Sequence, residues 1–170
     1  MDDLVEGLKA GRTGAFERLV RDYGDRLYRF CLRIVGPADA EDVVQETFIR
    51  VHRSIGSYQP TGRFESWLFT IANHLALDAL RRRPAAAREG EEPVDRRGPQ
   101  DDLSHREVQD ALLRAVERLP LEQKQVFLLR EEAGMSFKEI AETTGCPLNT
   151  ALGRMHYAME NLRKNLKAYQ

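Results

Sequence analysis

Hydrophobic side chains recur along this chain at intervals of three and four residues, which is the spacing of amphipathic helices. Residues 15–35 carry the most regular apolar stripe, which consists of Phe16, Leu19, Tyr23, Leu27, Phe30 and Ile34. Residues 39–53, 64–83, 106–132 and 136–166 repeat the spacing, with polar and charged side chains at the other positions. The pattern predicts an all-α protein.

Residues that favour helix ends divide these stripes into separate helices. Gly36-Pro37 is predicted to end one helix, and Asp39 opens the next, where a carboxylate complements the helix dipole. Ser136 and Glu139 have the S-x-x-E spacing of a capping box. Gly145 suits the left-handed position that ends many helices, and Asn149 is expected to cap the longer helix that follows. These signals predict a helix–turn–helix unit from Ser136 onward, although an ordinary helical hairpin would show the same local pattern.

The composition changes between the two halves of the chain. Residues 85–105 are rich in proline, glycine and charge, and Val94 and Leu103 are their only large apolar side chains. Such a segment buries too little apolar surface to fold alone. We therefore expect two small helical domains, residues 1–84 and 106–170, joined by a flexible linker at 85–105.

The overall composition indicates a globular chain without membrane segments. The chain has 170 residues, of which 42% are hydrophobic and 31% charged. No apolar run approaches the roughly 20 residues that span a bilayer. The acidic N-terminus lacks a signal-peptide core, so we expect a cytoplasmic protein without membrane insertion. Cys31 and Cys146 lie far apart in the sequence and are expected to be free thiols.

No motif indicates catalysis or a bound cofactor. The chain lacks the G-x-x-x-x-G-K, G-x-S-x-G and H-E-x-x-H patterns, and its four histidines are scattered. We therefore expect no enzyme activity, no catalytic residue, no cofactor and no metal site. The net charge of −1 is too small for a protein that binds duplex DNA mainly through its own basic surface.

The string DAEDVVQETFIRVHR, residues 39–53, resembles the second conserved region of bacterial sigma factors in their extracytoplasmic-function (ECF) form. Periodicity alone would describe this segment as one more amphipathic helix. In that family the helix docks on the coiled coil of the RNA polymerase clamp. The resemblance implies a core-polymerase-binding surface made of Asp39, Glu41, Asp42, Gln45, Glu46 and Arg50.

The next segment is similar to the part of the family that opens and recognises the minus-ten element. The family pattern F-x-x-W-L-x-x-I-A is matched by Phe64, Trp67, Leu68, Ile71 and Ala72. We expect Trp67 to be a core residue, because a tryptophan beside an apolar stripe is usually buried. His74 stands where the family commonly has asparagine. The residues expected to contact the minus-ten strand are Tyr58, Arg63, Thr70, Asn73, His74, Arg81 and Arg82.

Residues 119–155 resemble the fourth conserved region of ECF sigma factors, which recognises the minus-thirty-five element. A helix–turn–helix unit presents the first turns of its second helix to the major groove. The family usually has a lysine where this chain has Leu152, so one phosphate contact is expected to be missing. Arg154 is the first candidate for a DNA contact, with a solvated surface arginine as the alternative. The implied minus-thirty-five residues are Asn149, Thr150, Arg154, His156 and Tyr157.

The resemblance implies an ECF-type sigma factor that binds core RNA polymerase and promoter DNA, with an anti-sigma factor as a further expected partner. The near-zero net charge agrees with this, because the polymerase would supply most of the DNA affinity. Two alternatives stay open. One is a polymerase-independent helix–turn–helix regulator, and the other is a sigma-like protein that sequesters an anti-sigma factor without binding DNA.

Overall fold

The computed structural model describes residues 2–84 and 103–167, with side-chain burial for 3–84 and 108–167. Eight α-helices lie in these ranges, and no strand does, which confirms the all-α prediction. The helices of the first range are α1 (Asp2–Lys9), α2 (Thr13–Val35), α3 (Pro37–Ser54) and α4 (Phe64–Arg82), with a short 3₁₀ turn at Ile55–Ser57. Those of the second are α5 (Leu103–Glu117), α6 (Leu121–Ala133), α7 (Phe137–Thr144) and α8 (Leu148–Lys167).

The N-terminal half is a bundle in which α2, α3 and α4 pack against each other and α1 covers α2. The predicted stripe of α2 faces this core, and Leu19, Leu27 and Phe30 are fully buried. The rings of Phe30 and Phe69 meet edge to face with centroids 5.6 Å apart. This T-shaped geometry is one of the arrangements that aromatic pairs prefer. The bundle therefore fixes the outward faces of α3 and α4.

The C-terminal half has the predicted helix ends. The Ser136 hydroxyl accepts a hydrogen bond from the Glu139 backbone N–H at 3.2 Å, and the Glu139 carboxylate accepts from the Ser136 N–H at 2.7 Å. This reciprocal pair is the predicted capping box. Gly145 ends α7 with φ +65°, a backbone conformation that side chains with a Cβ disfavour. The tight turn between α7 and α8 follows from that conformation.

Three boundaries differ from the sequence-based expectation. Helix α3 begins at Pro37 rather than Asp39, because proline is well suited to the first helical position. Helix α8 begins at Leu148, so Asn149 lies inside its first turn and is not the capping residue that its side chain suggested. Helix α5 begins at Leu103, three residues before the expected domain boundary. The remainder of the expected linker, residues 85–102, lies outside the described residues.

The two halves pack against each other. Helix α6 contacts both α2 and α4, and α7 contacts α4. One buried hydrophobic cluster contains side chains from both halves, among them Phe69 of α4 and Leu129 of α6. Nothing in the periodicity of the sequence indicates this contact, because each half also presents a complete apolar stripe to its own bundle. Within the ranges described, no helix is both long and apolar enough to cross a membrane.

Candidate functional site

Most of the residues predicted to bind the polymerase are exposed on the outer surface of α3. Val43, Phe48 and Val51 face the core, which turns the intervening positions outward. The exposed residues are Glu41, Asp42, Gln45 and Arg50, while Glu46 is half-buried and lies 3.5 Å from the Arg50 guanidinium. We call Glu41, Asp42 and Gln45 the docking face. Its two carboxylates lie next to each other at the start of the helix and are open to solvent.

Asp39 differs from these neighbours because it is held inside the N-terminal half. The Arg83 Nε donates a hydrogen bond to the Asp39 carboxylate at 2.7 Å. The same guanidinium also donates to the backbone carbonyl of Val35. Asp39 therefore joins the end of α4 to the junction between α2 and α3. This position gives it a structural role beside the docking role expected from the sequence.

Tyr58 lies in an aromatic cluster rather than on the surface. Its side chain is 7% exposed, and its ring centroid lies 4.7 Å from that of Trp67 and 5.8 Å from that of Phe64. The Lys9 ammonium donates to the Tyr58 carbonyl at 2.8 Å, which fixes the backbone as well. Burial raises the pKa of the Tyr58 hydroxyl above its usual value. Tyr58 is thus a core residue in this conformation, and Trp67 is half-buried beside it.

Four other predicted minus-ten residues lie together at the contact with the C-terminal half, where Asn73 is buried and Thr70 half-buried while Arg63 and His74 stay exposed. We call Arg63, Thr70, Asn73 and His74 the covered face. Each of the four is hydrogen-bonded to a residue beyond position 120. The contacts are Arg63 Nη1 to the Gly134 carbonyl at 2.6 Å, Thr70 Oγ1 to Thr143 Oγ1 at 2.8 Å, Gln125 Nε2 to Asn73 Oδ1 at 2.9 Å, and His74 Nε2 to the Thr143 carbonyl at 3.2 Å.

Asn73 is the most deeply buried member of the covered face, with no exposed surface. Its carbonyl oxygen accepts the bond from Gln125, but its amide nitrogen has no hydrogen-bond partner among the described residues. A buried amide without a partner is energetically costly. The closed packing therefore satisfies this side chain only in part.

Arg81 and Arg82 lie away from the covered face, at the exposed C-terminal end of α4. The Arg81 guanidinium lies 3.0 Å from the Asp78 carboxylate one turn earlier. Both cations also suit the negative end of the helix dipole, so their position is explained without DNA. They remain accessible to a phosphate backbone in this conformation.

The predicted minus-thirty-five residues lie on two neighbouring stripes of α8. Thr150, Arg154 and Tyr157 follow one another at spacings of four and three, which aligns them on one side of the helix. Asn149 and His156, seven residues apart, share the adjacent stripe. The rings of His156 and Tyr157 are 5.6 Å apart, and His156 lies 3.8 Å from the Glu160 carboxylate.

Arg154 is half-buried, whereas the other four predicted residues of α8 are exposed. Leu152, at the position where the family has lysine, is 42% exposed and lies four residues after Leu148, which is 47% exposed. The first turns of α8 thus present a mixed polar and apolar surface. An exposed leucine in this place offers no phosphate contact, as the sequence indicated.

The contacts that join the two halves carry no signal in the sequence. Arg26, Arg29 and Arg33 of α2 converge on Glu132 of α6, although their spacing alone describes a solvated helix face. The Ser66 hydroxyl donates to the Glu139 carboxylate at 2.6 Å. Only the three-dimensional arrangement of the two halves reveals these pairs.

Glu139 has a lowered pKa although burial by itself would raise it. The hydrogen bonds that Ser66 and Ser136 donate to its carboxylate outweigh the burial, and the positive charge of Arg63 adds to their effect. By contrast, burial raises the pKa of the Cys31 thiol to about 12. Cys31 is thus an unreactive core residue. Within the described ranges, no group of three or more His, Cys, Asp or Glu side chains is placed to hold a metal ion.

Comparisons with known proteins match both halves of the chain. Residues 19–85 match the family model of sigma-70 region 2, and residues 109–162 match that of sigma-70 region 4. The ECF RNA polymerase sigma factor SigW of Bacillus subtilis is 30% identical, over 96% of this chain and 95% of its own length. The chain belongs to the ECF family of RNA polymerase sigma factors. As a member of that family it is a transcription initiation factor.

Two further comparisons describe the extent of the likeness. The ECF sigma factor SigE of Mycolicibacterium smegmatis is 39% identical over 89% of this sigma factor, which spans 62% of the length of SigE. The solved structure of CnrH in complex with the cytosolic domain of CnrY matches with a TM-score of 0.70 at 25% identity. That match covers 98% of this chain and 97% of the matched chain.

Proposed function

We propose that the docking face of α3 binds core RNA polymerase and thereby recruits it for promoter-specific initiation. The observation that carries this proposal is the exposure of Glu41, Asp42 and Gln45 on a helix whose other side is locked into the N-terminal core. A rigid, exposed acidic surface suits association with a basic partner surface. Arg50 and Glu46 extend the same surface by one turn, and Asp39 supports it from the core through Arg83.

The covered face and the end of α4 are proposed to contact the minus-ten strand. Arg63, Arg81 and Arg82 supply charge for phosphates, while Thr70, Asn73 and His74 supply hydrogen-bond donors and acceptors for bases. Tyr58 supports this surface from the aromatic core and is proposed to act through Trp67 rather than by direct contact. Thr70 and Asn73 must be uncovered before they meet DNA, whereas Arg63 and His74 are already exposed.

Helix α8 is proposed to contact the minus-thirty-five duplex. Its Thr150, Arg154 and Tyr157 stripe has the length and spacing of a recognition helix in the major groove, and Asn149 and His156 flank it. Because the surface around Leu152 is partly apolar, we expect α8 to contribute less to the affinity for DNA than the polymerase does. The division into domains 1–84 and 106–170 belongs to the same proposal, with one DNA element assigned to each.

The proposed partners are core RNA polymerase, promoter DNA and an anti-sigma factor. The family expectation of an anti-sigma factor is supported by CnrH, which was solved with the cytosolic domain of a second protein. This sigma factor is proposed to act in the cytoplasm and to catalyse no reaction itself. All bond-forming chemistry would belong to the polymerase.

In vitro transcription tests the proposal and separates the alternatives. Purified core polymerase is incubated with genomic DNA of the source bacterium, with and without this protein, and the transcript ends are mapped. We expect discrete start sites that depend on the protein. Specific duplex binding without polymerase would instead support an independent regulator. Neither activity, together with binding to an anti-sigma factor, would support a sequestering protein.

A further inference from the structure

The first turns of α8 expose two leucines on the same side of the helix. Leu148 is 47% exposed and Leu152 is 42% exposed, and their spacing of four residues makes them neighbours on the helix surface. Ala151, by contrast, is fully buried in the hydrophobic core. We call Leu148 and Leu152 the leucine pair. Neither belongs to the core of the described residues, so the packing of the protein does not account for them.

Gly153 is a second feature of this surface that the fold does not explain. It lies in the interior of α8, where glycine is less favourable than alanine. Apart from its own helix backbone and chain neighbours, no heavy atom of the described residues would lie within 4 Å of a Cβ at this position. The missing side chain therefore serves no packing inside the protein. It does allow an external molecule to approach the backbone of α8 closely.

The leucine pair and Gly153 lie among the polar residues that are proposed to contact the minus-thirty-five duplex. Gly153 follows the buried Ala151 by two positions, which at about 3.6 residues per turn is nearly the opposite side of the helix. The outward side is therefore centred near Gly153, with Leu152 on one flank and Arg154 on the other. The arginine flank can donate hydrogen bonds to phosphates and base edges, whereas the leucine flank has no hydrogen-bonding group.

Thymine is the base that an apolar flank can recognise. Its C5-methyl group projects into the major groove, and none of the other three bases carries a methyl group there. A leucine makes a favourable contact with this methyl group, but beside the polar edge of another base it leaves a donor or acceptor unpaired. The helix must lie deep in the groove for Leu152 to reach the methyl group, and Gly153 permits that approach.

A protein partner is the other kind of molecule that covers exposed leucines. A standard protein interface buries about 800 Å² on each partner. Leu148 and Leu152 supply only a small part of such an area, and the polar Asn149 and His156 border them. The next exposed apolar side chain on this side of α8 is Met159, seven residues beyond Leu152. So small an apolar surface, bordered by polar side chains, favours contact with a base.

We propose that Leu152, with Leu148 beside it, is a specificity-determining residue that contacts the C5-methyl group of a thymine in the minus-thirty-five element. Gly153 brings the helix close enough for this contact, and Arg154 holds the opposite flank. The inference rests on the proposed function, because α8 meets this base only if it binds the minus-thirty-five duplex. It adds a preference for thymine that the hydrogen bonds of the polar side chains do not provide.

In vitro transcription with the full-length protein and core polymerase tests this proposal. The templates carry a randomised minus-thirty-five region upstream of a mapped start site, and a barcode in each transcript identifies the preferred element. Each thymine of that element is then replaced in turn by deoxyuridine, which lacks only the C5-methyl group. For the wild-type protein, we expect deoxyuridine at one or two positions to lower initiation about fourfold, the effect of removing one buried methyl group.

Leu152→Ala should remove most of this sensitivity, so that thymine and deoxyuridine templates give nearly equal initiation. Alanine lacks the outer carbon atoms that reach the methyl group, and as a good helix former at an exposed position it preserves the fold. The matched control is Met159→Ala, an apolar truncation about 10 Å further along α8, which should keep the full sensitivity. Full sensitivity in Leu152→Ala would overturn the proposal, as would a preferred element in which no thymine is sensitive to deoxyuridine.

Leu152→Lys exchanges the proposed base contact for a phosphate contact. We expect stronger initiation on all templates, a steeper dependence on salt concentration and no preference for thymine over deoxyuridine. A lysine variant that still distinguishes thymine from deoxyuridine would show that another residue makes the contact.

Gly153→Ala separates the stability of the protein from the close approach to DNA. In the free protein the new methyl group meets no neighbour and alanine favours the helix, so the urea midpoint should rise. Initiation from the preferred element should nevertheless fall about fivefold or more, because the added methyl group overpacks the contact with the groove. A rise in stability together with unchanged initiation would refute the close approach on which the leucine contact depends.

The same experiment distinguishes this proposal from the proposed function. If no template of the library is transcribed, the protein does not direct core polymerase to promoters, and the proposed function fails first. If transcription is specific but Leu152→Ala lowers it equally on thymine and deoxyuridine templates, Leu152 contacts a protein instead of the base. In that case only the thymine contact is refuted, and the proposed function stands.

Discussion

The two candidate surfaces of the N-terminal half differ in their accessibility. The docking face on α3 is open to solvent, whereas the covered face on α4 is hydrogen-bonded to the C-terminal half. Both faces belong to one rigid bundle, so the difference comes from the packing of α6 and α7 and not from local disorder. The surface proposed to bind polymerase is thus accessible in a conformation that buries part of the surface proposed to bind the promoter.

The exposure of the two faces also separates the effects of substitutions. A change on the docking face alters an interface without disturbing the fold, because its side chains make few internal contacts. A change on the covered face alters the contact between the halves and DNA binding together.

Asp42→Arg should weaken binding to core polymerase most strongly. It places a cation in the centre of the acidic docking face, and a reversed charge at a complementary interface costs about 2 kcal/mol or more. We expect a loss of affinity of about thirtyfold in a pull-down or fluorescence titration, with unchanged helicity by circular dichroism. Asp25→Arg, at an exposed position of α2, is the control and should bind like wild type. Equal affinity of both variants for core polymerase would show that α3 is not part of the interface.

Gln125→Ala should destabilise the protein by about 1–3 kcal/mol, because it leaves the buried Asn73 without its remaining hydrogen bond. Urea unfolding followed by circular dichroism measures this change. Gln109→Ala, at an exposed position of α5, is the control and should change the free energy of unfolding by less than about 0.5 kcal/mol. If the two variants are equally stable, the contact between α4 and α6 is absent in solution.

Arg154→Ala should reduce protection of the minus-thirty-five region in a footprint of the polymerase complex. The loss of one contact to a base edge or phosphate costs about 1–3 kcal/mol of binding free energy. We expect a value at the lower end of this range, because the polymerase holds the rest of the complex. Arg163→Ala, nine residues later on an exposed part of α8, should have a smaller effect. An unaltered footprint with Arg154→Ala would exclude this residue from recognition.

Glu139→Gln should have a smaller effect that depends on pH. The pKa of Glu139 is lowered in the folded protein, so its ionised form contributes stability above the unfolded value of about 4.5, and this contribution is lost as pH falls below it. The urea midpoints of wild type and Glu139→Gln should therefore differ at pH 7 and converge near pH 3. A constant difference over this range would show that ionisation of Glu139 does not stabilise the fold.

Much of the fold follows from the sequence, because the relevant signals are local. The α2 stripe, the capping box of Ser136 and Glu139, and the left-handed Gly145 all depend on residues within a few positions of each other. The docking face also follows, since the buried positions of α3 determine which residues are exposed. Asn149 was the exception. The Pro147 carbonyl accepts hydrogen bonds from the Thr150 and Ala151 N–H groups, so the helix begins at Leu148, two residues earlier than a cap at Asn149 would place it.

The remaining features could not be predicted because they depend on distant residues. The burial of Tyr58 arises from a turn that folds its ring onto Trp67, and the burial of Asn73 arises from Gln125, 52 positions away. In the sequence, the spacing of the α2 arginines is that of an ordinary solvated helix face. Their contacts with Glu132 are visible only in the structure. Long-range contacts between polar side chains leave no periodic trace, so sequence patterns identify the candidate residues but not their accessibility.

Thiol labelling of single cysteines tests the central claim most directly, because it reports the accessibility of both faces. The cysteines replace Gln45 and Thr70, with Asp25→Cys as an exposed control, Cys146 replaced by serine and Cys31 fully buried. In the free protein, Gln45→Cys should react readily and Thr70→Cys slowly, because Thr70 is half-buried against Thr143. With core polymerase bound, we predict slower labelling of Gln45→Cys and unchanged labelling of Asp25→Cys. Equal rates for Gln45→Cys with and without polymerase, or a Thr70→Cys that reacts as fast as Gln45→Cys in the free protein, would contradict the account.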